Sequence, residues 1–122
     1  MKLLIVGSRN IKEFDFSPYI TDDVDTVISG GAKGIDNLAE RYADLHRLSK
    51  YIIRPRYKIY GRAAPLKRNE EMVDIADALL VVWDGSSTGT EYTIKYAKRV
   101  KKPVTLVNLS ETVTDEKYKG AL

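Results

Sequence analysis

Three times along this chain an apolar run rich in β-branched residues empties into a loop of small residues. Leu3-Leu4-Ile5-Val6 leads into Gly7-Ser8-Arg9, and Thr26-Val27-Ile28 leads into Ser29-Gly30-Gly31-Ala32-Lys33-Gly34. Ala78-Leu79-Leu80-Val81-Val82-Trp83 leads into Asp84-Gly85-Ser86-Ser87-Thr88-Gly89-Thr90. A segment of helical periodicity follows each loop, at once or after a few residues. A strand with no polar face must be covered on both sides, and strands alternating with helices achieve this only in a parallel sheet.

Two further strands complete the pattern, so strands are expected at 3–6, 26–29, 51–54, 79–83 and 104–107. Helices are expected at 34–48, 65–76 and 90–100, with a short one at 17–20. Ile35, Leu38, Ala39, Tyr42, Ala43 and His46 fall at three- and four-residue spacing, which gives the first long helix one apolar stripe. Leu66, Met72, Val73 and Ala76 do the same for the second, and Thr93, Ile94, Tyr96, Ala97 and Val100 for the third. Pro103 stops that last helix. Right-handed crossovers then dictate a Rossmann-like three-layer α/β sandwich around a five-stranded, mostly parallel sheet, expected in the order 3-2-1-4-5. In that order the loops after strands one and four flank the switch point and the loop after strand two lies alongside. Residues 1–108 form the expected domain, and 109–122 read as a polar tail.

Composition narrows the possibilities. The 122 residues suit one domain, and no apolar run approaches a membrane span. The absence of cysteine excludes a disulfide framework and a thiolate zinc site, and fits a cytoplasmic protein. A single histidine argues against a protein-only metal site. Twenty basic against seventeen acidic side chains give a net charge of only +3. The one basic cluster, Lys95, Lys98, Arg99, Lys101 and Lys102, falls at a helix C-terminus, where cations complement the macrodipole. Nucleic acid is therefore disfavoured as a partner, and no membrane is expected.

Glycine loops that open helices hold phosphate, because close backbone approach and unpartnered N–H groups coincide there. The P-loop spacing G-x-x-x-x-G-K-[ST] is absent, as is G-x-G-x-x-G after the first strand. What remains resembles the SLOG superfamily, the Rossmann-like group that joins DprA with the LOG-type nucleoside-monophosphate phosphoribohydrolases. The matching residues are Gly7-Ser8-Arg9, Gly30-Gly31-Ala32-Lys33-Gly34-Ile35-Asp36, Arg68-Asn69-x-x-Met72 and Asp84-Gly85-Ser86-Ser87-Thr88-Gly89-Thr90, across nearly the whole domain. The chain looks most like the small, stand-alone members, for which the resemblance implies a nucleotide-like ligand and a homo-oligomer, a dimer first. One departure bears on chemistry. In the hydrolases P-G-G-x-G-T-x-x-E ends in a catalytic glutamate, and Thr93 stands at that position here. Glu91 is two residues earlier, about 200° away around the helix at 100° per residue, and so projects in a quite different direction from that acid.

The expected function is binding of a phosphorylated nucleotide or nucleotide derivative, as a sensor or carrier. The alternative is LOG-like N-glycosidic cleavage of a nucleoside monophosphate, for which Arg68, Asp84 and Glu91 are the catalytic candidates. Arg9 and Arg68 offer paired, charge-assisted bonds to phosphate. Gly30, Gly31 and Gly34 exceed what a turn needs. Lys33 either reaches phosphate or faces solvent, and Asp36 either opens its helix or accepts a ribose hydroxyl. Ser86, Ser87, Thr88 and Thr90 exceed what one cap needs, and with Gly85 and Gly89 they suggest an anion cradle. Asn69 either contacts ligand or caps its helix. No cofactor is required, with Mg2+ admitted only alongside a ligand phosphate.

Overall fold

A computed structural model describes residues 1–109. Five strands, β1 (Lys2–Gly7), β2 (Thr26–Ser29), β3 (Ser49–Ile52), β4 (Ala78–Trp83) and β5 (Val104–Asn108), form one sheet in the order β3-β2-β1-β4-β5. All four pairings are parallel. The helices are α1 (Ile35–Leu45), α2 (Tyr57–Tyr60), α3 (Ala64–Ile75) and α4 (Thr88–Arg99), with a 3-10 turn at Gly61–Ala63 between α2 and α3. The sheet order is the one expected from the sequence. No helix among the described residues is long and apolar enough to cross a membrane. The expected tail lies, beyond Leu109, outside the described residues.

Alternation along the strands divides the core into two layers. Leu3, Ile5, Val27, Leu80 and Val82 face Ile35, Ala39 and Ala43 of α1, together with Phe16 and Val24 from the β1–β2 connection. Leu4, Val6, Ile28, Leu79 and Val81 face Met72, Val73 and Ala76 around α3 and Ile94 and Ala97 of α4. Fully burying one such side chain contributes roughly 1.5–3 kcal/mol. The three inner strands therefore carry the stability and leave the edge strands free to be polar.

Several expectations are corrected at that edge and at the helix ends. The third strand begins at Ser49, not at residue 51, because the Ser49 N–H takes the Asp25 carbonyl at 2.9 Å and sets the register. Ser49 and Lys50 are exposed, so apolar content could not reveal them as strand. Residues 17–20 form one turn rather than a helix. The Tyr19 and Ile20 N–H groups both return to the Phe16 carbonyl, and the Asp15 carboxylate takes the Ser17 N–H. The segment after β3, where no element was expected before residue 65, holds α2 and the 3-10 turn, which opens on Gly61 at φ 56°. His46 is not on the packed stripe, because α1 ends at Leu45; it is exposed and stacks on Tyr42 at 4.0 Å. Leu66 and Val100 are likewise exposed, each near a helix end that turns past the sheet.

Candidate functional site

The loops after β1, β2 and β4 meet at the C-terminal edge of the sheet, and glycines decide how closely. A Cβ on Gly7 would stand 2.1 Å from the Val82 carbonyl and 2.7 Å from Ile35, so this position is closed to any side chain by the contact of β1 with β4 and α1. Gly34 has φ 76°, and a Cβ there would stand 2.4 Å from the Ser8 carbonyl. Ser8, almost fully buried, joins the three loops. Its N–H donates to the Val82 carbonyl, its carbonyl accepts from Ile35 N–H at 3.2 Å, and its hydroxyl accepts from Asp84 N–H at 3.0 Å.

A cleft of about 90 Å3 opens between these loops, α3 and α4. Of the residues picked out by sequence, Gly7, Arg9, Ala32 and Asp36 line one side, and Arg68, Asn69, Ser87, Gly89 and Thr90 line the rest. Val6, Met72 and Thr93 complete it. Ser8, Gly30 and Gly34 stand behind the wall as packing and bracing groups. Gly31, Lys33, Asp84, Gly85, Ser86 and Thr88 do not line the cleft, and Lys33, Gly85, Ser86 and Thr88 are exposed.

The β2 loop turns some of its own donors inward. The Gly31 N–H donates to Ser29 Oγ, whose hydroxyl donates to Glu40 at 2.7 Å, and the Ala32 N–H donates to Asp36 Oδ2 at 3.2 Å. Asp36 is only 6% exposed. Burial pushes its carboxyl up from 3.8 to about 6, against the opposing pull of the Ala32 N–H, the Arg68 guanidinium and the Gly30 N–H. Arg68 reaches across from α3, where Nη1 donates to the carbonyls of Gly30 at 2.8 Å and Ile53 at 3.2 Å. Its Nε donates to Asn69 Oδ1 at 2.8 Å. Burial lowers the Arg68 pKa, and the neighbouring Asp36 carboxylate raises it again. Gly30 allows the two to converge, since a Cβ there would lie 2.8 Å from Arg68 Nη1 and 3.0 Å from Asp36 Oδ2.

The β4 loop is arranged differently. Asp84 accepts the N–H and hydroxyl of Ser86, which hold its carboxyl below the ordinary value. Ser87 caps α4, its hydroxyl accepting the Thr90 N–H at 3.4 Å. The first two N–H groups of α4, those of Thr88 and Gly89, have no hydrogen-bond partner among the described residues. Arg9, exposed at the mouth, makes no ion pair among the described residues. Of the catalytic candidates, Glu91 is turned outward to Lys95 at 3.0 Å and is not on the cleft. Thr93 is 1% exposed, and its hydroxyl donates to the Gly89 carbonyl at 3.0 Å. Asp36 is the one carboxylate among the described residues that lines the cleft.

Some neighbours carried no signal in the sequence. Arg54 lies over Gly31, 2.7 Å from where a Cβ would be, and Glu40 braces Ser29 from the second turn of α1. Each is an ordinary charged residue until the fold brings it to the loop. Trp83, at the end of the β4 run, packs with Tyr96 and Val104 against the α3–α4 layer, its indole N–H buried without an acceptor among the described residues.

Strand order and cleft together define a Rossmann-like α/β protein with a polar cleft at the topological switch point. No family model matches the chain, and no solved structure matches it. The "Gene 61 protein" of Mycobacterium phage D29 is 32% identical over 120 aligned residues, covering 84% of this chain and 93% of the relative. The chain belongs to the family of that phage protein. The "Uncharacterized SPbeta prophage-derived protein YoqJ" of Bacillus subtilis (strain 168) is 34% identical over 64 residues, covering 52% of this chain and 37% of the relative.

Proposed function

We propose that this protein binds a phosphorylated nucleotide or nucleotide derivative at the C-terminal edge of its sheet, as a sensor or carrier of the SLOG type. The observation that carries the proposal is the start of α4. Gly89, whose N–H has no partner among the described residues, lines the cleft together with Arg9 and Arg68, and the Thr88 N–H, likewise without a partner there, precedes it on α4. An anion there gains the helix-end donors and two cations at once. At about 90 Å3 the cleft takes a phosphoryl group and a few further atoms, whereas whole-ligand sites run to roughly 300–1,000 Å3. The rest of the ligand therefore lies across the mouth.

Binding is favoured over turnover because Thr93, at the position of the hydrolase acid in the resemblance, has its hydroxyl committed to the Gly89 carbonyl. A homo-oligomer and a cytoplasmic location belong to the same proposal, and Mg2+ enters only with the phosphate. Melting curves with nucleoside 5′-monophosphates test it. A ligand at 100 times its Kd adds about 2.7 kcal/mol of stability, and Arg9→Ala is expected to weaken binding about tenfold without moving the melting temperature of the free protein. If no phosphorylated ligand raises that temperature, the proposal fails. Release of free base from a monophosphate would replace it with the hydrolase.

A further inference from the structure

Asp36 is an unusual group to find in a site for an anion. Its carboxylate is 6% exposed, lines the cleft, and is the one acidic side chain among the described residues that does so. The Ala32 N–H satisfies Oδ2, and the Gly30 N–H also supports the charge. A carboxylate accepts about four hydrogen bonds, so part of its capacity is left for whatever enters. Asn69, which lines the same cleft, has its Oδ1 fixed by Arg68 Nε, which leaves its amide NH2 without a partner among the described residues.

Charge limits what can sit there. A second phosphate would meet the Asp36 carboxylate, and a cationic group would meet Arg68 and Arg9, whose charges already act on each other. A neutral group that both donates and accepts satisfies Asp36 and Asn69 together, and in so small a space that group is a hydroxyl. We propose that Asp36 selects the sugar of the ligand by accepting hydrogen bonds from its vicinal hydroxyls, so that ribonucleotides bind in preference to deoxyribonucleotides. This rests on the phosphate being held at α4, which puts the sugar next along the cleft.

The test is calorimetric titration of the full chain with the four ribonucleoside 5′-monophosphates and their 2′-deoxy and 3′-deoxy counterparts. A hydroxyl bound to a charged acceptor contributes enough that its removal should weaken binding about tenfold to a hundredfold. Asp36→Asn, similar in shape and uncharged, should reduce that ratio to below about threefold. Equal affinities for ribo and deoxy forms in the wild type would overturn the selection by Asp36 while leaving phosphate binding at α4 intact. Discrimination unchanged in folded Asp36→Asn would also overturn it. If none of the monophosphates binds, the phosphate site and the sugar site fall together. The wild-type comparison decides even where the variant does not fold.

Discussion

The β2 and β4 loops are both rich in glycine and both open onto helices, yet the first N–H of the helix is taken in one case and not in the other. In the β2 loop the Gly31 and Ala32 N–H groups are taken by Ser29 and Asp36, and the first N–H of α1 is taken by the Ser8 carbonyl. At the start of α4 the first two N–H groups have no partner among the described residues. Glycine serves close packing in one loop and open access in the other. Where a side-chain carboxylate takes a loop N–H, as Asp36 does at Ala32 and Asp84 at Ser86, the place of an anion is already filled, so composition alone overstates how many phosphate cradles a chain has.

Substitutions can break this contrast, and the largest effect is expected at Gly34. Alanine there combines φ 76° with a Cβ 2.4 Å from the Ser8 carbonyl, and should cost about 3 kcal/mol or more, measured by urea denaturation. Arg68→Ala leaves the Gly30 and Ile53 carbonyls without their donor and should cost about 2–3 kcal/mol even without ligand. A loss confined to ligand affinity would show instead that Arg68 serves only the ligand.

Asp36 should act in the opposite direction. Raising its pKa from 3.8 to about 6 means that the folded state binds this proton more tightly than the unfolded chain does. Its contribution to stability is present below about pH 4, falls as pH rises, and is gone above about pH 6, a swing of about 3 kcal/mol. Asp36→Asn should therefore stabilise the free protein by about 1–3 kcal/mol at pH 7.5, with the gain shrinking towards pH 4. A lower melting temperature at pH 7.5 would mean that the carboxylate is a net brace of the β2 loop. The smallest effect belongs to Gly89, where an added Cβ meets nothing within 4 Å. Gly89→Ala should change stability by no more than about 1 kcal/mol, towards the more stable, yet weaken ligand binding by narrowing the cleft. Unchanged affinity in that variant would move the phosphate away from α4.

How much of this was legible in the sequence follows from what each residue does. The inner strands are apolar on both faces, so Leu3 to Val6 and Leu79 to Val82 announced a parallel sheet and its order. β3 was misplaced by two residues because an edge strand can be polar, and Ser49 and Lys50 are held by backbone register alone. Arg9, Asp36 and Arg68 stand out as candidates from their places around the loops, and all three line the cleft. That Arg68 would fasten two carbonyls, and that Asp36 would fill the β2 loop, depends on tertiary distances that no local spacing encodes. Ser8 reads as a small loop residue, and only the fold makes it the knot of three segments.

The all-parallel ladder also sets an order of events during folding. β1 occupies the middle of the sheet, with Leu3 beside both Val27 and Ala78. One flank is covered by a strand close in sequence, and the other only when the far half of the chain arrives. Among the described residues no hairpin offers a local nucleus, and each pairing must close a long loop first, which slows folding at equal stability. During synthesis the centre of the sheet is thus made early and completed late. In that interval the exposed flank of Leu3 to Val6 is the segment most prone to pair with another chain.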